Sequence, residues 1–169
     1  MTAPNPASVA DHEASHAVVW WWWWASQPAG HDPGTGRKIW RVTIVPTEDE
    51  EGGFHPDIPT FGTNQTRDDI RCMEHVCAMS LAGPVSDEMR EEPHLHYTDV
   101  NHCKGYANAG LPTEEEANSF LEEVRPKVRL FLERPEVRAM VQGLAKELLE
   151  HKTLGHDDAV AAMKAAQPS

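Results

Sequence analysis

Positive charge is what this chain of 169 residues has least of: 15 lysines and arginines face 27 aspartates and glutamates, a formal net charge of -12 at pH 7. A surface that grips nucleic acid or an anionic membrane needs clustered cations that displace counterions, so nucleic acid is not an expected partner. Cysteine is also scarce. Cys72, Cys77 and Cys103 are an odd number with no CxxC spacing, which argues against a disulfide framework or a thiolate zinc site and fits free thiols in a reducing compartment. Long apolar runs are missing too: Ala17 to Ala25 is too short to cross a bilayer and carries no cleavage signal, and Met1 to Ala10 has no basic n-region. The expectation is a cytoplasmic protein with no targeting segment and no integral membrane segment. No internal repeat or long low-complexity tail is found.

What is present suits a globular fold. Hydrophobic residues make up 40% and charged residues 25% of the chain, near the globular average, and the length is enough for a core without disulfide or metal staples. One domain over 1–169 is expected, with a first half to residue 110 and a helical second half from 111. Five consecutive tryptophans, Trp20 to Trp24, stand out. On a helix turning 100° per residue they point all around the axis, so one core face cannot hide them all. Packing against the C-terminal helices would cover most; the remainder would offer a contact for a second copy or another partner.

Asn5-Pro6 reads as an N-cap with Pro at the first helical position, and with no breaker before Pro28 the first helix is expected over about residues 6–25. Residues 28–38 form a Pro/Gly-rich loop. Ile39 to Val45 alternates as a strand closed by Pro46, and residues 48–62 read as a long surface loop with a short edge strand near Gly53 to His55. A second helix runs from Asp68 to about Met89, with Ile70, Met73, Val76, Cys77, Met79 and Leu81 on its apolar side and a kink at Gly83-Pro84. A third covers Thr98 or Asp99 to Ala109 and ends at Gly110. Thr113 and Glu116 form a capping box for the next, Pro135 opens another, and Asp157 or Asp158 starts a last short one. These elements make the expected fold class mainly α, an α+β chain with a small β-element.

That first helix carries His12-Glu13-Ala14-Ser15-His16. Four residues apart on a helix, His12 and His16 lie about 40° apart and one turn along, so two imidazoles can converge on one cation. Glu13 is placed to reach water at that cation without ligating it, the division of labour of an HExxH zinc site. Zinc lowers the pKa of its water toward ~7, and a neighbouring carboxylate can move that proton during attack on a peptide carbonyl. A third ligand is needed. The metzincin continuation is excluded, because Val19 and Trp22 stand where Gly and His are required. Glu88 on the second helix suits a thermolysin-like arrangement, while His94, His96, Asp99 and His102 make a denser group. Spacing leaves these open, and Asp99 could equally be a helix cap.

The order of features resembles the peptidase domain of the FtsH family of membrane-anchored AAA+ zinc metalloproteases. The family's HEAGHA is matched by His12 to Ala17, its KVTIIPRG strand by Arg41 to Pro46, and its LAGRAAEE helix by Leu81-Ala82-Gly83-Pro84-Val85-Ser86-Asp87-Glu88. Its NDLxxATxIA helix is echoed from Thr98-Asp99-Val100 to Ala107, and its LAxxLLExETL segment by Leu144 to Leu154. The resemblance implies a helical zincin-like domain with a small β-element beside the HExxH helix, and one zinc ion per chain held by His12, His16 and Asp99, with Glu13 catalytic and the fourth position left to water. Ser15, Pro84 and the lead-in Leu95-His96-Tyr97-Thr98 depart from the family pattern. No counterpart of the family's ATPase module or membrane anchor occurs in these residues, so the expected activity is ATP-independent hydrolysis of accessible or unfolded polypeptides. An extended substrate could add as a strand to residues 39–45 or to Gly53 to His55. The competing expectations are a non-catalytic metal-binding or interaction module that keeps the fold, and a metal-dependent amidase for small molecules.

Overall fold

The structure is a computed structural model, and it describes residues 5–23, 39–46, 52–56, 67–91 and 97–167. Its element order is α1 (Pro6–Trp22), β1 (Ile39–Thr43), β2 (Gly53–Pro56), α2 (Arg67–Met89), α3 (Tyr97–Gly110), α4 (Glu114–Leu132), α5 (Pro135–His151), β3 (Thr153–Leu154) and α6 (His156–Ala165). This is the mainly helical α+β class expected, six helices with one small antiparallel sheet among the described residues.

Helix α1 starts where Asn5 Oδ1 accepts the Ala7 N–H at 3.1 Å and Pro6 supplies its preset φ. From Val9 to Trp20 all but Asp11 are buried, because α2, α5 and the strands β1 and β2 pack around it. A helix with no polar face belongs in a core, and α1 is the central rod. It ends at Trp22, earlier than residue 25. Trp20 and Trp23 are buried, while Trp21 and Trp22 are half-buried against the core. Phe131 of α4 takes the Trp23 ring edge-on at 5.2 Å and Trp22 at 6.3 Å, and Lys164 of α6 sits 5.9 Å above the Trp21 ring. The C-terminal helices thus cover most of the run; Trp24 lies outside the described residues.

The sheet has the order β2-β1-β3. Val42 faces Phe54 on one side and Leu154 on the other, so β1 is the central strand and cannot offer a free edge. That corrects one of the two substrate edges expected from sequence and leaves β2. The strand β3 was not foreseen, since Leu144 to Leu154 reads as one block; Lys152 breaks it with φ 68° and its carbonyl accepts the Ile44 N–H at 2.9 Å.

Helix α2 runs unbroken through Pro84. Met73, Val76, Cys77, Met79 and Leu81 are buried as expected, whereas Ile70 is exposed near its start. Thr113 caps α4 by accepting the Glu116 N–H at 3.2 Å, the capping box read from sequence. The result that matters for chemistry is the contact of α1 with α2, and of α2 with α3.

Candidate metal centre

His12 and His16 project from one face of α1 into the junction with α2, and Asp99 enters from the first turn of α3. His12 Nε2 and His16 Nε2 are 3.1 Å apart; Asp99 Oδ2 is 3.1 Å from the first and 3.5 Å from the second. These three atoms are brought together from positions 87 residues apart in sequence. The histidine side chains are 2% and 5% exposed and the aspartate 25%, so Asp99 is the one of the three in appreciable contact with solvent.

The protonation chemistry follows from the partners on the far sides of the rings. His16 Nδ1 lies 2.6 Å from the Met79 carbonyl oxygen, an acceptor only, so this nitrogen donates. His12 Nδ1 donates to Asp87 Oδ2 at 2.7 Å. In the neutral rings both Nε2 atoms are then lone-pair acceptors, turned toward each other and toward a carboxylate. Three acceptors turned toward one another call for a cation or for protons between them. Burial opposes charge on His12, but Asp87 and Asp99 outweigh it and raise its pKa. Burial opposes it on His16 as well, and Asp99 again prevails, helped by Glu13. Against its own burial, Asp99 is held far below the usual carboxylate range by the two imidazoles. A metal entering here displaces those protons, so its affinity falls as the pH is lowered through the raised histidine values.

Room for an ion is made by Gly83. A Cβ on that residue would fall 2.4 Å from His12 Nε2 and 2.4 Å from His16 Nε2, close to the ~2.0–2.1 Å at which zinc sits from imidazole nitrogen. The side chain that is missing at residue 83 therefore leaves the space that a cation bound by both rings would fill. Donor set, tautomers and space fit a divalent cation such as zinc, which His12, His16 and Asp99 would hold.

Glu13 is 4% exposed. Its Oε1 would meet a Gly52 Cβ at 3.1 Å, so the carboxylate lies against the backbone just before β2, near enough to His16 to favour its charged form. Phe54 of β2 stacks parallel to the His16 ring, 6.4 Å between centroids and 9° between planes. Strand β2 thus approaches the site through Phe54, and the residue just before the strand, Gly52, approaches Glu13.

Of the other candidate ligands, Glu88 is paired with Arg125 of α4 and does not belong to the donor group. His94 and His96 lie outside the described residues. His102 is exposed on α3 and does not join the group either. A second set of donors, Glu147, Glu150 and His151, lies along α5, with Glu150 and His151 exposed and His151 ion-paired to Glu147 one turn away at 3.4 Å. That is the usual chemistry of a solvated helix face.

Sequence reasoning missed Asp87, the Met79 carbonyl and the role of Gly83. The signal for Asp87 was its place one turn after Gly83 in the Leu81 to Glu88 block, which puts both on one face of α2. Among the described residues no helix is long and apolar enough to cross a membrane. No protein-family model matches the chain, and no curated protein matches it.

Proposed function

We propose that this protein is a zinc-dependent endopeptidase of the HExxH type, acting on accessible or unfolded polypeptides without ATP of its own. The observation that carries the reading is the meeting of His12 Nε2, His16 Nε2 and Asp99 Oδ2 beside a buried Glu13. The order of sequence blocks from His12 to Leu154 supports a relationship to the FtsH-type peptidase domain. It agrees with Asp99, rather than Glu88, as the third ligand.

In this reading His12, His16 and Asp99 bind one zinc, and Asp87 and the Met79 carbonyl orient the two rings. Zinc supplies Lewis acidity that activates water and polarises the scissile carbonyl. Glu13 does the proton work: its carboxylate accepts the proton of the attacking water and delivers it to the amine that leaves. The side of β2, Gly53–Pro56, that pairs with no other strand among the described residues accepts an extended substrate as a further antiparallel strand. Peptide backbone is the natural ligand of such an edge, which favours a polypeptide over a small amide. Among the described tryptophans, contact with a second copy or a partner would use Trp21 and Trp22, since Trp20 and Trp23 are buried.

The Glu13→Gln variant tests the assignment. It is expected to keep one zinc per chain and to lose hydrolysis of an unfolded protein by about 10²–10⁴-fold. Zinc retained with undiminished hydrolysis would overturn it.

A further inference from the structure

Asp87 divides its carboxylate between two tasks. Oδ2 takes the His12 Nδ1 proton at 2.7 Å and Oδ1 takes Arg90 Nη2 at 2.7 Å. The other terminal nitrogen, Arg90 Nη1, reaches Asp11 Oδ2 at 2.8 Å, one residue before His12, and Nη2 also approaches the Ser8 carbonyl at 3.4 Å. The guanidinium is therefore a fork with one prong on α2 and one on α1, closing the helix junction directly behind a ring of the candidate metal centre.

The two imidazoles are held differently. His16 leans on the Met79 carbonyl, part of the α2 backbone and fixed with the helix. His12 leans on a carboxylate side chain, which has rotational freedom unless something else holds it. Arg90 is what holds it. It sits in the turn that ends α2, where its N–H returns to the Asp87 carbonyl at 3.1 Å and Glu91 follows with φ 57°, so the clamp acts where helical hydrogen bonding no longer fixes the chain.

We infer that Arg90 is a positioning residue of this centre, setting the orientation of the His12 ligand through Asp87 and fastening that carboxylate to α1 through Asp11. The inference rests on the metal-site reading above and deepens it. It requires a planar fork: lysine keeps the charge but places a single point charge, so it cannot satisfy Asp87 and Asp11 in the same geometry. Outer-shell partners of metal ligands are worth about 10–100-fold in metal affinity, and Arg90, one contact further out, is expected at about the lower end of that range.

The test uses the full chain, with zinc affinity measured by competition against a chromophoric chelator and the visible spectrum of the cobalt-substituted protein as a report on ligand geometry. Arg90→Ala and Arg90→Lys are both expected to weaken zinc by about tenfold and to alter the cobalt spectrum. Arg125→Ala, which removes another α2 ion pair with no link to His12, is expected to change neither. If Arg90→Ala proves too unstable to titrate, Arg90→Lys, which keeps stem and charge, carries the measurement. Wild-type affinity in Arg90→Lys, or an equal loss in Arg125→Ala, would overturn the role of Arg90 while leaving the metal site intact. A wild-type chain that binds no zinc would overturn the metal-site reading and this inference together.

Discussion

A single missing methyl group shows how tightly the centre is specified at the scale of residues. Alanine at position 83 would improve intrinsic helix propensity by about 1 kcal/mol, yet its Cβ would stand 2.4 Å from His12 Nε2 and from His16 Nε2. Gly83→Ala is therefore expected to keep its helical circular dichroism and to lose bound zinc; a full equivalent of zinc by elemental analysis would refute the space-keeping role. The third ligand can be settled by a paired comparison. Asp99→Ala should abolish stoichiometric zinc, because Asp99 contacts both rings, while Glu88→Gln should retain it, because Glu88 is committed to Arg125. The reverse pattern would move the site to the thermolysin-like arrangement. His12, Glu13 and His16 were legible in the sequence because residue type and helical spacing group them, whereas Asp99 was one of several candidates that spacing left open and only the resemblance singled out. Asp87 and Gly83 were not legible, since their roles depend on where α2 crosses α1, which no local pattern encodes.

Elements with local signals were readable to within a few residues. Asn5-Pro6, Thr113 with Glu116, and Pro135 each mark a helix start by satisfying or removing an orphan N–H, and α1, α4 and α5 begin there. Elements defined by tertiary pairing were harder. The two-residue strand β3 exists because the Ile44 N–H and the Thr43 hydroxyl both reach the Lys152 carbonyl, at 2.9 and 3.2 Å, and nothing in Lys152-Thr153-Leu154 alone announces that. The same turn stores strain, for Lys152 adopts φ 68° and ψ -36°, a region costing a side-chain-bearing residue about 1–3 kcal/mol. Glycine avoids that cost but loses about 0.5–1 kcal/mol of unfolded-chain entropy. Lys152→Gly should therefore stabilise the metal-free protein by about 1 kcal/mol, measurable in urea unfolding. A loss of stability would mean that the Lys152 Nζ contact to the Leu149 carbonyl, 2.7 Å, outweighs the backbone term.

At the scale of the whole molecule, the apolar core and the metal centre are separable contributors to stability. The core runs from Val9 and Trp20 of α1 through Val76 of α2 to Phe131, Leu144 and Met163, and in a chain of 169 residues it is large enough to fold without metal. The centre, in contrast, ties α1 to α3 through His12, His16 and Asp99. A ligand that binds only the folded chain stabilises it by RT ln(1 + [L]/Kd), about 2.7 kcal/mol at a hundredfold Kd. For a domain of this size that corresponds to a rise in Tm on the order of 5–10 °C. Chelated protein should accordingly keep its helical signal and melt at the lower temperature, unlike a zinc finger, which unfolds outright when its metal is withdrawn. Asp99→Ala should melt near the chelated wild type and fail to respond to zinc, because the bridge to α3 is gone. Thermal melts of both proteins with and without zinc decide the matter: an unresponsive wild type, or a variant that gains the full increment, would show that no ion joins these helices.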